Sequence, residues 1–155
     1  MSIFPTKILL ATDGSVEAEL ALSTSVDLAN STSSELHVVH VGSQYHPDLT
    51  TLRDASLFEE RLQELEQETQ EVLNGQVRKI EEAGAAVQEA HLRRGRKDQE
   101  IVHLGEKIGA DLIVMGSRGR GGVRRAIVGS VADSVIRHAH CPVLVVRKGE
   151  HQATR

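Results

Sequence analysis

The sequence has little of several residue types, and each shortage argues against a class of protein. Among 155 residues there is one cysteine, Cys141, so an intramolecular disulfide is excluded and a reducing, cytoplasmic location is the expected one. Phe4, Tyr45 and Phe58 are the whole set of Phe, Tyr and Trp residues, which leaves no platform for stacking nucleic-acid bases. The formal net charge of −4 also argues against a general nucleic-acid binder.

Long apolar runs are missing as well. No segment reaches the roughly 18 apolar residues of a membrane-spanning helix, and the N-terminus lacks the charged-then-apolar pattern of a secretory signal. The chain is 39% hydrophobic and 26% charged, as is ordinary for a soluble protein. We therefore expect a single domain over residues 1–155, with its core at about 5–148 and a polar tail at 149–155, and no membrane partner.

Five short apolar segments have the length and composition of buried parallel strands. They lie at 7–12, 35–41, 86–92, 111–115 and 143–147. Segments with helical spacing alternate with them, at 15–30, 57–83, 98–108 and 130–139. This alternation predicts an α/β fold with a parallel sheet. Residues 42–54 are expected to form a loop, and Gly75 could either bend or break the long helix.

A segment rich in glycine and arginine joins the fourth strand to the last helix. It spans residues 115–130 and contains five glycines and four arginines. A loop of this kind lets backbone N–H groups converge on an anion, and the dipole of the following helix adds partial positive charge. Ser130 could cap that helix or offer its hydroxyl to a phosphate oxygen. The alternative is a solvated connection whose arginines serve solubility.

The spacing of this segment resembles the nucleotide-binding signature of the ATP-binding branch of the universal stress protein family. Gly116-x-x-Gly119 is followed, after nine residues, by Gly129-Ser130. The segments at 11–15, 111–117 and 141–146 also agree, so the resemblance covers about residues 7–147. It implies an open five-stranded parallel sheet of order 3-2-1-4-5, with helices on both faces in a Rossmann-like arrangement. Ligands of such sheets bind where the chain reverses direction, beyond the carboxyl ends of the strands.

The resemblance also implies a ligand, ATP with Mg²⁺, and a set of residues that hold it. Ala11, Thr12 and Val41 match positions where the family's strand ends meet adenine, although ordinary core packing is nearly as good an account of Val41. Asp13 would hold a ribose hydroxyl or a phosphate-bound Mg²⁺, because carboxylate oxygens suit a hard cation. The other implied nucleotide-binding residues are Met115, Gly116, Ser117, Arg118, Gly119, Arg120, Gly129, Ser130, Val131 and Ala132.

Within that set the residue types suggest separate roles. Gly116 and Gly119 would let the backbone approach ribose and phosphates, where a Cβ atom would intrude. Arg118 or Arg120 would neutralise phosphate charge. The N–H groups of residues 129–132 would face the terminal phosphates. Further arginines at 124 and 125 are expected to face solvent.

Other charged and titratable residues are expected to be structural. His37 and His40 are three apart on a strand and point to opposite faces, so they cannot chelate a metal ion together. His138 and His140 straddle a helix end with no acidic residue nearby in sequence, so a dedicated zinc site is not expected. The cationic cluster at 93–97 is interpreted as surface charge, with a smaller chance of steering an anion.

No nucleophile–base pair or general base is recognisable, so the sequence favours a binding module over a dedicated enzyme. By its resemblance, the protein is interpreted as an ATP-binding stress-response protein that regulates an unknown protein partner. The alternatives are a slow ATPase, a cyclic-nucleotide binder and a ligand-free docking dimer. The apolar strand at 143–146 would lie at a sheet edge that needs cover, and the resemblance likewise points to a homodimer formed through it.

Overall fold

The computed structural model describes residues 2–118 and 128–148, which form five strands and five helices. In chain order the elements are β1 (Lys7–Ala11), α1 (Val16–Thr32), β2 (Glu35–Gly42), α2 (Leu49–Arg53), α3 (Ala55–Glu82), β3 (Glu89–Arg94), α4 (Lys97–Ile108), β4 (Leu112–Gly116), α5 (Ser130–His138) and β5 (Val143–Val146).

The five strands form one sheet in the order β3-β2-β1-β4-β5, and each neighbouring pair is parallel. Leu9 on the central strand β1 lies opposite His37 on β2 and Ile113 on β4. The predicted fold class, an open five-stranded parallel sheet of order 3-2-1-4-5, is confirmed. The chain reverses its direction of winding between β1 and β4, so a crevice opens at their carboxyl ends.

Helices cover both faces of the sheet, as predicted. Successive strand residues point to opposite faces, so Ile8 and Leu10 pack with residues of α1 and α3, whereas Leu9 packs with residues of α4 and α5. All three side chains are fully buried. Burial of each contributes about 1.5–3 kcal/mol, and this two-sided burial explains why the central strands are almost uniformly apolar.

The segment 42–54 differs from the prediction of an irregular loop, because it contains the short helix α2. Asp48 caps this helix: its Oδ1 atom accepts hydrogen bonds from the Thr51 N–H at 2.8 Å and from the Thr51 hydroxyl at 2.8 Å. Asp54 then caps α3 through the N–H groups of Ser56 and Leu57. A five-residue helix is too short to show an apolar period, so only its caps mark it in the sequence.

The long helix α3 runs without interruption through Gly75, so a break there is excluded. Strand β3 begins at Glu89, three residues later than predicted. The intervening chain closes α3: the N–H of Ala85 donates to the carbonyl of Ile80, and Gly84 adopts a φ of 98°. Residues 86–88, which the apolar pattern had assigned to the strand, instead connect this turn to β3.

None of the helices within residues 2–118 and 128–148 combines the length and the apolar character that crossing a bilayer demands.

Candidate functional site

A cavity of about 260 Å³ opens at the carboxyl ends of β1 and β4, where the topology predicts a ligand site. Gly119 and Arg120 lie outside the described residues. The other twelve of the fourteen predicted nucleotide-binding residues all line this strand-end cavity: Ala11, Thr12, Asp13, Val41, Met115, Gly116, Ser117, Arg118, Gly129, Ser130, Val131 and Ala132. Five more lining residues were not predicted: Ser15, Ala18, Val39, Lys97 and Ile101.

The inner wall of the cavity is apolar. Val39 and Val41 come from β2, Met115 comes from β4, and Ile101 comes from α4. All four side chains are buried and belong to the core between the sheet and the helices α4 and α5. Because the cavity cuts into this core, a ligand inserted there would meet hydrocarbon on its faces and backbone polar groups at the strand ends.

Three helices direct their N-termini at the cavity mouth. Ser15 caps α1, with its Oγ atom accepting the Ala18 N–H at 3.2 Å, and the first residues of the other two helices are Lys97 of α4 and Ser130 of α5. Ser15, Lys97 and Ser130 all line the cavity. The positive ends of three helix dipoles and the Lys97 ammonium therefore favour a negatively charged ligand at the mouth.

The start of α5 corrects two predicted roles. Gly129, and not Ser130, is the N-cap residue, so Ser130 is the first helical residue. The Gly129 N–H donates to the Ser117 carbonyl, which removes it from the predicted set of phosphate donors. The first-turn N–H groups of residues 130–132 remain, and no side chain of the described chain caps them. A Cβ atom on Gly129 would lie 3.0 Å from the Ser117 carbonyl oxygen, so this close turn favours glycine.

Gly116 is also explained differently from the prediction. An ideal Cβ atom on this residue would lie 3.0 Å from the carbonyl carbon of Glu17 and 3.1 Å from the backbone nitrogen of Ala18. The space beside Gly116 is therefore taken by the first turn of α1. Its missing side chain permits β4 and α1 to pack closely, whereas the predicted reason was the approach of a ligand.

Glu17 organises the beginning of the glycine-rich segment. The side chain is buried, and its Oε2 atom accepts hydrogen bonds from the Ser117 hydroxyl and from the Arg118 N–H, the latter at 2.9 Å. Its Oε1 atom accepts from the Arg118 guanidinium at 2.8 and 3.1 Å. Burial alone would raise the pKa of Glu17, but the hydrogen bonds from Ser117 and Arg118 outweigh it and hold the pKa below its usual value.

This network changes the interpretation of Arg118. The sequence offered Arg118 or Arg120 as the residue that neutralises phosphate charge, whereas the structure pairs the Arg118 guanidinium with Glu17 while the residue also lines the cavity. The partners are 101 residues apart in the chain, and the one sequence signal that could have joined them is the predicted adjacency of β1 and β4.

Asp13 and Thr12 follow β1 and are held by local and distant contacts. Asp13 Oδ1 accepts the Ser15 N–H at 2.9 Å, an Asx turn that starts α1. The Thr12 hydroxyl donates to Gln76 Oε1 at 2.9 Å, so its side chain is engaged with α3. Among the described residues that line the cavity, Asp13 is the only acidic one.

Lys97 lines the cavity, and the residue after it, Asp98, joins α4 to α5. The Ser134 hydroxyl of α5 donates to Asp98 Oδ2 at 2.7 Å, and the Arg96 guanidinium lies 2.9 Å from the same oxygen. The hydrogen bond from Ser134 is the chief cause that lowers the pKa of Asp98, with a smaller contribution from Arg96. Lys97 had been interpreted as surface charge together with its arginine neighbours, and only the tertiary structure separates it from them.

Comparisons with known proteins agree with this architecture. The sequence model of the universal stress protein family matches residues 5–147. A universal stress protein of Methanocaldococcus jannaschii, MJ0531, is 38% identical over 144 residues, which cover 92% of this chain and 82% of the relative.

Solved structures extend the likeness to three dimensions. The protein MJ0577 has a TM-score of 0.77 at 29% identity, covering 95% of this chain and 99% of its own. An Arabidopsis thaliana member of the family, solved with AMP bound, has a TM-score of 0.67 at 21% identity, covering 96% of this chain and 95% of its own, and bears on the fold alone. The family model matched over residues 5–147 and the relative of 38% identity together show that this chain belongs to the universal stress protein family.

Proposed function

We propose that the strand-end cavity binds an adenine nucleotide, ATP together with Mg²⁺, and that the protein is a nucleotide-responsive regulatory module. The observation that carries this proposal is that an apolar cleft and three helix N-termini meet at a single cavity. An adenine nucleotide matches both parts of this cavity, because it has a flat base at one end and negatively charged phosphates at the other.

The base would occupy the apolar end. Val39 and Val41 offer hydrocarbon contact from β2, and Ile101 does the same from α4. Backbone groups at the ends of the strands would supply the hydrogen bonds that recognise adenine. The Arabidopsis relative solved with AMP shows that a protein of this fold can hold an adenine nucleotide, and the proposal for this chain rests on its own cavity.

The phosphates would occupy the mouth. The N–H groups of residues 130–132 and the ammonium of Lys97 would hold their oxygens. Asp13 would hold the ribose or the Mg²⁺ ion, which when bound would supply positive charge to the phosphates. Its Asx turn with Ser15 keeps the carboxylate at the end of β1.

A binding role suits the cavity better than dedicated catalysis. Among its described lining residues the titratable side chains are Asp13, Lys97 and Arg118, and no histidine or cysteine accompanies them. Arg118 is paired with Glu17, and Asp13 Oδ1 accepts the Ser15 N–H in the turn that starts α1. We therefore propose that bound ATP acts as a signal whose occupancy changes the surface presented to a partner.

Calorimetric titration of ATP, ADP and cyclic AMP, each with and without Mg²⁺, tests the proposal. Lys97→Gln should weaken ATP binding about tenfold, the loss expected for one charge-assisted contact. It should weaken cyclic AMP binding less, because that ligand has one phosphate. Asp13→Asn should lower ATP affinity mainly when Mg²⁺ is present.

Ser130→Ala removes a hydroxyl but no backbone donor, and should lower ATP affinity about fivefold.

The matched control is Lys107→Gln, which removes the same charge from the exposed far end of α4. It should leave nucleotide affinity unchanged. If wild-type protein binds no adenine nucleotide at millimolar ligand, the proposal fails and the alternative of a ligand-free docking dimer takes its place. If cyclic AMP binds more tightly than ATP, the ligand is reassigned to a cyclic nucleotide.

A further inference from the structure

Two buried histidines meet on neighbouring strands, outside the strand-end cavity. His37 of β2 and His91 of β3 are each 5% exposed, and their rings stack with centroids 5.5 Å apart and planes inclined by 19°. His37 Nδ1 lies 3.3 Å from His91 Nε2. The carboxylate of Glu89, on the same strand as His91, has its Oε2 atom 3.9 Å from His91 Nε2.

The parallel register brings these three side chains to one face of the sheet. His37 lies opposite Glu89, and His91 lies opposite Val39, two residues further along each strand. Residues two apart on a strand share a face, so all three side chains lie on the face covered by α4 and α5, where Val39 packs. His37 and His91 are 54 positions apart in the chain, so comparing histidines that are close in sequence does not reveal this pair.

The spacing of the nitrogen atoms fits a shared metal ion. Two ligands about 2.05 Å from a tetrahedral zinc ion lie about 3.3 Å from each other, which is the distance between His37 Nδ1 and His91 Nε2. A hydrogen bond between two neutral imidazoles would favour a shorter distance, near 2.9–3.0 Å. The ligand atoms of His37, Glu89 and His91 all lie within 4.8 Å of one another. The Glu89 side chain is 64% exposed, so its carboxylate can rotate toward an ion.

A second carboxylate lies behind His37, on the side away from His91. Glu35 Oε2 lies 3.4 Å from His37 Nε2, so a carboxylate faces the second ring nitrogen of His37. Carboxylates in this position orient metal-binding histidines and fix their tautomer.

We propose that His37 Nδ1, His91 Nε2 and Glu89 bind a divalent transition-metal ion, with zinc the ion that best suits this donor set. Imidazole nitrogens with one carboxylate are typical zinc ligands, and a water would take the fourth position. The ion joins β2 to the edge strand β3. It is distinct from the Mg²⁺ of the nucleotide proposal, because none of its three ligands lines the strand-end cavity.

The test is metal binding by chelator-treated, full-length protein in the absence of nucleotide. Calorimetry with Zn²⁺ should show one site per chain with micromolar or tighter affinity, and Co²⁺ should give the intense visible bands of a tetrahedral site. Mg²⁺ should not compete. Zinc should also raise the thermal midpoint of unfolding, because it binds only the folded chain.

Glu89→Gln is the decisive variant, since the side chain is exposed and the substitution keeps its shape. It should reduce zinc affinity about a hundredfold while the metal-free thermal midpoint stays unchanged, and Glu35→Gln should reduce the affinity about tenfold. His91→Asn should abolish the tetrahedral cobalt spectrum. The matched controls are His103→Gln, an exposed histidine on α4, and Asp13→Asn in the nucleotide cavity, and both should bind zinc like wild type.

Three results would overturn the site. They are an octahedral cobalt spectrum in wild type, equal zinc affinity in wild type and Glu89→Gln, or no zinc binding at micromolar concentration. In each case the histidine pair is a buried hydrogen bond between β2 and β3.

Discussion

At the scale of single residues, the feature that most needs a physical explanation is the burial of the Glu17 carboxylate. Acidic residues are seldom buried without partners, and this one is satisfied by the Ser117 hydroxyl and by backbone and guanidinium groups of Arg118. These donors belong to the chain that leaves β4, so Glu17 ties the first turn of α1 to the start of the glycine-rich segment. The contact sets where that segment departs from the sheet.

Glu17→Gln should destabilise the protein by about 1.5–3 kcal/mol at pH 7, the usual contribution of hydrogen bonds to a charged group. The folded-state pKa is lowered, so the stabilisation is fully present above the ordinary pKa of glutamate and is lost as pH falls through the folded value. Urea unfolding of wild type and variant should therefore give free energies that converge as the pH is lowered below about 4.5.

The control for this prediction is Glu19→Gln in the same helical turn. Glu19 is more exposed and pairs with the exposed Lys79 at 2.6 Å, so its loss should cost less than about 1 kcal/mol. A difference between wild type and Glu17→Gln that stays constant from pH 7 to pH 3 would show that the carboxylate charge is not what stabilises this contact.

At the scale of elements, the segment between β2 and α3 is the part whose form the sequence did not reveal. It follows Val41, which lines the cavity, and then carries α2, where Leu49 and Leu52 are exposed. Two exposed leucines on a five-residue helix leave α2 with little burial to stabilise it, so its order depends on the Asp48 and Asp54 caps.

Hydrogen exchange of the backbone amides at 43–53 should slow when ATP and Mg²⁺ saturate the protein. Exchange reports local opening, and a segment with few buried contacts opens easily unless a ligand orders it. Amides at 105–110, at the opposite end of α4 from the cavity, provide the internal comparison and should keep their rates. Unchanged exchange at 43–53 under saturating ATP would mean that the bound nucleotide does not order this segment.

At the scale of the whole molecule, the apolar strand β5 lies at one edge of the sheet, where its outer side could pair with a strand of another chain. β5 pairs with β4 on one side only, as the last strand in the sheet order. Leu144 is 37% exposed, and Val143 and Val145 are only partly buried. Exposed apolar edges tend to pair with other chains, so the sequence-based prediction of a homodimer through Val143–Val146 stays in place.

Sedimentation velocity should show a dimer of the wild-type protein at micromolar concentration. Val145→Lys places a charge in the edge strand and should give monomer or aggregate, and Leu144→Lys, at a more exposed position, should give monomer with less disturbance of the core. Arg61→Gln on the exposed surface of α3 is the control and should remain dimeric. A wild-type protein that is monomeric throughout the micromolar range would refute the dimer.

The sequence by itself determined the features that depend on local pattern. Short apolar runs indicate strands and helically spaced apolar residues indicate helices, and both patterns are visible in the sequence itself. The alternation of strands and helices and the glycine-rich segment could therefore be predicted without coordinates. The strand order came from resemblance to a known family, and it was enough to predict the strand-end cavity. The Asp48 cap was missed because its signal spans only a few residues.

Only the tertiary structure decided which distant side chains meet. The pairing of Glu17 with Arg118 crosses 101 residues and that of His37 with His91 crosses 54, while Lys97 lines the cavity and the residue after it, Asp98, joins α4 to α5 through Ser134. Each of these contacts depends on register and helix packing. A register shift of one residue would turn His91 to the other face of the sheet, and no local pattern encodes that choice.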